Sequence, residues 1–232
     1  MPPAVVSVLA FADDPGNPWY SWEYIRKNSE PLTAALVQHV SLTLGAVALA
    51  AVVGVALAVV AVRVPALAGA LLSLTSVAYT NPSLALFALL GPIMGLKFRT
   101  VLVGLALYAL VMVTRGGLTG LRQVPADVRD SAQGMGYGSL AMLWRIELPL
   151  ALPSIMAGIR LATVSTVALV TVGTMVGYGG LGYFILTGFN FNFYRAMIMA
   201  GTLGCIALAL VLDLLLAGVT RMVTPWARRG RA

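Results

Sequence analysis

One histidine, one cysteine and eight acidic residues are the whole stock that this 232-residue chain offers for acid–base, nucleophilic or metal chemistry. His39 has no second histidine or cysteine near it to complete a ligand set, and it reads as a helix-end residue. Cys205 lies in an apolar run, has no partner for an internal disulfide, and reads as a small packing residue. No Ser/His/Asp set can be assembled around the lone histidine, and the phosphate-cradling pattern G-x-x-x-x-G-K-[ST] does not occur. Catalysis is therefore not expected, nor a cofactor or metal bound by this chain. Two charges stand out by position instead. Arg160 and Asp213 sit inside long apolar runs, where ionisable groups are costly and are usually paired or functional. At about 1.5 Å of rise per residue they lie at a comparable depth, so an intramembrane ion pair is expected, with a proton relay as the alternative.

The elements that carry these charges follow from composition. With 59% hydrophobic residues, 10% charged and a mean hydropathy of +0.92, the chain lies outside the soluble range and reads as an all-α, polytopic membrane helical bundle. The net charge of +7 raises nucleic acid as a partner. Yet the basic residues flank apolar runs and no basic face with interleaved aromatics occurs, so no nucleic-acid partner is expected. A spanning helix needs about 20 apolar residues to cross about 30 Å of hydrocarbon. On that ruler the blocks are Val40 to Val62, Ala66 to Leu96, Thr100 to Thr114, Leu150 to Val176 and Ala196 to Val219. The second is too long for one upright helix and is interrupted by Asn81-Pro82 and Gly91-Pro92. Proline lacks an amide donor and pushes the residue before it out of the helix, so this block is a broken span or two short segments. The bundle then has five or six spans.

Arginines orient it. Arg115, Arg122, Arg129 and Arg145 bracket a polar stretch, and Arg221, Arg228, Arg229 and Arg231 follow the last span, so both regions are expected to face the cytoplasm. Five spans put the N-terminus outside, Arg63 inside and the 177–194 segment outside; six would put Arg63 outside and Lys97 and Arg99 inside. Met1 to Ala12 has no basic leader and no small-residue cleavage pattern, so no signal peptide is expected. Trp19, Tyr20, Trp22 and Tyr24 cluster ahead of the first span, as aromatic side chains do at a membrane interface. Residues 1–38 are read as an external interfacial segment with a helix lying on the outer surface, 39–220 as the membrane domain with a loop at 125–149, and 221–232 as a basic cytoplasmic tail.

The polar stretch has its own local logic. Pro125 can open a helix, Asp127 and Asp130 lie in its first turns where the dipole favours anions, and Gly134, Gly136 and Gly138 break it. Ser139 is placed to cap a second helix with Met142, Leu143 and Ile146 as its apolar face, until Pro149 starts the next span. Two such short helices outside the membrane are marginal alone and call for a partner. A second polar patch, Ser73, Thr75, Ser76, Tyr79, Thr80 and Asn81, adjoins the Pro82 break. Irregular backbone at membrane depth is tolerated where it lines a cavity, which makes Ser76, Tyr79, Thr80, Asn81 and Pro82 a candidate solute path; interhelical hydrogen bonding is the alternative. Tyr79, Phe87, Tyr108 and Tyr178 offer ring faces to a cationic group.

Asp130-Ser131-Ala132, Gly136, Ile146, Leu148 and Pro149 stand in the register E-A-A-x-x-x-G-x9-I-x-L-P. This stretch resembles the coupling loop of ABC-importer permeases, with aspartate for the usual glutamate and serine for the first alanine. Tyr79-Thr80-Asn81-Pro82-Ser83-Leu84-Ala85-Leu86, Glu147 to Pro153 with Ala157-Gly158-Ile159-Arg160, and Val176 to Gly182 are similar to segments of the osmoprotectant branch, which imports glycine betaine, carnitine, choline and related solutes. The resemblance implies an inner-membrane subunit of a prokaryotic importer, moving a small solute by alternating access. It also implies two ATPase subunits docked on the coupling loops, which use the ATP and Mg, a second permease subunit, identical or similar, and an external binding protein. An importer of amino acids or another small solute shares this pattern. The competing class is a stand-alone channel or secondary carrier, although carriers commonly show internal repeats and none is evident here.

Overall fold

The computed structural model describes residues 16–226. The leader reading of Met1 to Ala12 and the arginines Arg228, Arg229 and Arg231 lie outside the described residues. Among the described residues the chain is helical, with no strand. A short helix, α1 (Trp22–Lys27), is capped by Ser21, whose hydroxyl accepts the Tyr24 amide at 3.1 Å. A hydrogen-bonded ion pair with Lys27 at 2.6 Å holds the Glu23 carboxyl below its usual range. Then come α2 (Ser29–Arg63), α3 (Pro65–Thr80), α4 (Ser83–Met94) and α5 (Phe98–Arg122). The polar stretch holds α6 (Ala126–Gly134) and α7 (Ser139–Met142), the latter joined by a π turn (Leu143–Glu147) to α8 (Leu148–Val170). A 3₁₀ turn (Thr171–Val176), a glycine turn, α9 (Gly182–Asn190) and α10 (Arg195–Val223) complete it.

Among the described residues, four helical segments are long and apolar enough to cross a membrane: Ser29–Arg63, Phe98–Arg122, Ser139–Val176 and Arg195–Val223. Their ends differ from the hydropathy ruler. The first spanning helix, α2, begins at Ser29 rather than Val40, and α5 runs on to Arg122 rather than stopping at Thr114. Hydropathy measures what the hydrocarbon accepts, whereas a helix continues into the polar zone on residues such as Arg115, a good helix former. The second block divides at Asn81, held extended (φ −65°, ψ 137°) by the proline that follows it. Gly91-Pro92 does not break α4. The helix runs through Pro92 to Met94 and ends at Gly95, whose φ of +77° stops it. So near the helix end, proline forfeits a single amide bond.

The core is layered along the bundle. One layer, at the end carrying the polar stretch, joins Ala58, Ala61, Ala68, Leu118, Leu121, Ala151 and Ile155. The opposite end joins Leu42, Ala46, Phe87, Val101, Leu105 and Val170, with an alanine-rich layer of Ala50, Ala109, Val113 and Ala162 between. Ala68 of α3 belongs to the first layer and Phe87 of α4 to the opposite one, so α3 and α4 together run from one end of the bundle to the other. Helix α5 is the central post. It crosses α8 with backbones touching: a Cβ on Gly116 would lie 3.0 Å from the Gly158 Cα, and one on Gly158 only 2.8 Å from the Met112 carbonyl oxygen. Small residues at a crossing let dispersion contacts accumulate where lipid offers no hydrophobic drive. By contrast α10 leaves Ile206, Leu210, Val211, Leu214 and Leu215 exposed, a face suited to acyl chains.

Candidate functional site

The polar stretch closes on itself through one glycine. At the end of α6 the Tyr137 amide reaches the Ala132 carbonyl (3.1 Å) and the Gly136 amide the Gln133 carbonyl (3.0 Å), with Gly136 at φ +85°. That is a Schellman ending, which needs a residue with no penalty for positive φ. Gly136 thus makes the turn; Gly134 is still helical and Gly138 has a negative φ. Ser139 does not cap the second helix. Gly138 precedes it, and the Ser139 carbonyl instead accepts from Arg63 at 3.5 Å. Nor does a new helix start at Pro149. The π turn, in which the Leu148 amide bonds the Leu143 carbonyl, carries α7 into α8, and Pro149 falls in the first turn, where its missing amide costs least.

The motif residues divide by direction. Asp130, Ser131 and Gly136 are exposed; Ala132 is buried, Ile146 and Pro149 are half-buried, and Leu148 packs on the core layer with Leu121 and Ile155. Three large apolar side chains, Met135, Leu140 and Trp144, are each about two-thirds exposed on this stretch at 71%, 68% and 66%. Beneath them lies a group that sequence reading left without a role. The Glu147 carboxylate, 3% exposed, takes Arg63 at 2.6 Å on one oxygen and Arg129 at 3.2 Å on the other, while Arg129 also donates to the Leu121 carbonyl at 2.7 Å. An acid set between Ile146 and Leu148, just before a long apolar run, is the only signal for it in the sequence.

On the flank of the bundle, Ser76, Tyr79 and Thr80 share an open groove of about 570 Å³ with Met112, Arg115, Thr119, Ser154 and Gly158. Tyr108 lies behind it, its ring edge-to-face with Tyr79 (centroids 6.0 Å apart) and its hydroxyl donating to the Asn81 carbonyl. The Asn81 side chain is engaged with the Val77 carbonyl at 3.0 Å, and Pro82 is exposed at the start of α4. Tyr178 is not brought to the groove; it stacks edge-on with Phe98 at 6.2 Å against the opposite core layer, where Phe87 is also fully buried. The residue missed here is Arg115, which donates to the Ser76 hydroxyl at 3.0 Å and puts a cation on the groove wall. Arg160 and Asp213 meet in a two-pronged contact, Nε to Oδ1 at 2.9 Å and Nη2 to Oδ2 at 2.8 Å, tying α8 to α10.

At the end away from the polar stretch, His39 is not a helix-end residue. It lies within α2, fully buried, with its Nδ1 accepting the Leu181 amide (3.3 Å) and its Nε2 3.0 Å from the Val167 carbonyl. The first contact requires an unprotonated Nδ1, so the proton is on Nε2 and is given to Val167. Gln38 alongside accepts the Gly180 amide at 2.9 Å. The glycines fit because they are glycines: a Cβ on Gly180 would sit 2.6 Å from the His39 Cβ.

Residues 41–229 match the family model of the binding-protein-dependent transport system inner membrane component. The chain belongs to this family. Among relatives of this permease is the glycine betaine/carnitine/choline transport system permease protein OpuCD of Bacillus subtilis strain 168, 34% identical over 202 residues, covering 87% of this chain and 88% of the relative. The carnitine transport permease protein OpuCD of Listeria monocytogenes is 36% identical over 203 residues, covering 88% and 91%. A chain of the MetNI methionine ABC transporter in an inward-facing conformation superposes with a TM-score of 0.76 over 83% of this permease and 96% of that chain, at 17% identity. At that identity the likeness speaks for the fold alone, an ABC-importer permease bundle. The homologous proteins are transport permeases and not enzymes.

Proposed function

We propose that this permease is the membrane-spanning subunit of an ATP-driven importer for a small osmoprotectant of the glycine betaine, choline or carnitine kind, working by alternating access. The observation that carries the reading is the polar stretch, a Schellman-turned loop in the family's coupling register that holds Met135, Leu140 and Trp144 out from the bundle. Exposed apolar side chains on a polar loop beside a membrane suit a docked protein. The partner there is an ATPase, one of two, which supplies the ATP and Mg chemistry that this chain does not. An external binding protein delivers the solute. A second permease subunit, identical or similar, closes the open groove of Ser76, Tyr79 and Thr80 into a central path in which the Tyr79 ring meets the quaternary ammonium.

The chain crosses the bacterial inner membrane five times in this reading, with α3 and α4 forming one broken span, the N-terminus outside and the C-terminus in the cytoplasm. The Arg63 contact with Glu147 supports it, since that contact keeps the end of α2 on the same side as the loop. The test is to purify the chain in mild detergent with its ATPase and to reconstitute both with the binding protein. ATP-dependent uptake of labelled glycine betaine is expected, and Trp144→Ala should weaken ATPase binding by about 30-fold, the size of a hot-spot loss, without lowering the melting temperature. Solute movement at full rate without ATP or ATPase would sink the reading in favour of a channel or carrier.

A further inference from the structure

Around Glu147 the ends of α2, α5 and α8 are packed together by the core layer of Ala58, Ala61, Leu121, Ala151 and Ile155, but α6 has no side chain in that layer. Helix α6 has a single buried residue, Ala132, so apolar packing secures little of it. Its polar attachment is Arg129, which pairs in charge with the Glu147 carboxylate and donates a hydrogen bond to the Leu121 carbonyl in the last turns of α5. The other carboxylate oxygen holds Arg63, the C-terminal residue of α2, a helix that runs the depth of the bundle. Glu147 itself ends the π turn that continues into α8. One buried carboxylate, 3% exposed, therefore joins α2, α5, α6 and α8, while its two arginine partners stay partly open to solvent. Only Val64 separates Arg63 from α3, whose Ser76, Tyr79 and Thr80 line the groove.

We propose that Glu147 is the positioning residue that transmits loop movement to the groove: through Arg129 it fixes α6, and through Arg63 it draws the end of α2 and the start of α3 along when the loop is displaced. This rests on the proposed function, because it needs a partner that moves the loop. The reconstituted complex of permease, ATPase and binding protein tests it, with labelled glycine betaine as the probe and uptake per ATP hydrolysed as the readout. Glu147→Gln should keep the ATPase bound, since Met135, Leu140 and Trp144 are untouched, while uptake per ATP falls about tenfold, a typical coupling free energy. Arg63→Gln should do the same, the double variant should fall no further than either single one, and Arg63→Lys should restore most of the ratio.

A role confined to stability would lower yield or melting temperature and leave the ratio in the surviving complex unchanged, and that result overturns the proposal. Should Glu147→Gln fail to insert, Arg63→Gln decides alone, because the Arg63 side chain is 40% exposed and its loss leaves the bundle packed. Additive losses in the double variant would also count against a shared route. A wild-type chain that retains no ATPase would instead overturn the proposed function itself, an outcome visible before any variant is made.

Discussion

At the loop end of the bundle, one carboxylate gathers Arg63 and Arg129 beneath helices that leave Met135, Leu140 and Trp144 uncovered. At the opposite end, His39 and Gln38 receive the turn at Gly180 and Leu181 through neutral hydrogen bonds, with backbone against side chain at closest approach. Both ends are rich in glycine, yet the glycines do different things. Those of the loop stand in open space and serve the turn alone, as at Gly136, whereas Gly179, Gly180 and Gly182 are there because nothing larger fits. A few charge contacts allow a region to move as a body under an outside push. Close packing admits discrete arrangements only, and holds one of them.

The comparison breaks most visibly at Gly179. A Cβ there would lie 1.7 Å from the Thr174 hydroxyl oxygen and 2.4 Å from its backbone nitrogen, so Gly179→Ala should cost at least about 3 kcal/mol. Little monodisperse protein should survive detergent extraction, and a wild-type melting temperature in that variant would show that the turn is not close-packed. Next in size is His39→Ala, which leaves a cavity and strands the Leu181 amide, for a loss of about 2–4 kcal/mol in unfolding experiments. Faster hydrogen exchange at Leu181 should accompany it; protection equal to wild type would mean that another group satisfies that amide. Smallest is Gly136→Ala, where φ is +85° but no atom lies within 4 Å of the added carbon. It should cost about 1 kcal/mol, from backbone conformation alone, seen as a slightly lower unfolding midpoint of an otherwise intact bundle. If Gly136→Ala proved as damaging as Gly179→Ala, the contrast between the two ends would collapse.

Much of the bundle was legible because lipid selects on composition over short windows. Each apolar block became a helix or, at Asn81-Pro82, a divided one, since a proline's effect on its neighbour is local. Helix ends were less legible: Ser29 and Arg122 lie beyond the hydrocarbon ruler, which is silent about turns that continue in water. In the groove, Ser76, Tyr79 and Thr80 stood out as polar residues in an apolar block, and the fold does gather them. Tyr178 carries the same ring but faces Phe98, because residue type does not say which neighbour a helix or turn presents. The same reason hid Arg115, whose place on the groove depends on how α5 lies against α3.

By itself the sequence determined that the chain lives in a bilayer, where it breaks at Asn81-Pro82, and that the polar stretch turns near Gly136, each a matter of local composition and backbone sterics. Only the tertiary structure decided that Glu147 meets Arg63 across 84 residues of chain, that His39 is sealed under a glycine turn, and that α3 and α4 pack into core layers at opposite ends. Those pairings depend on which helices cross and how closely. That in turn is set by many small contacts summed over the bundle, such as Gly116 on Gly158, and no single window of sequence contains the sum.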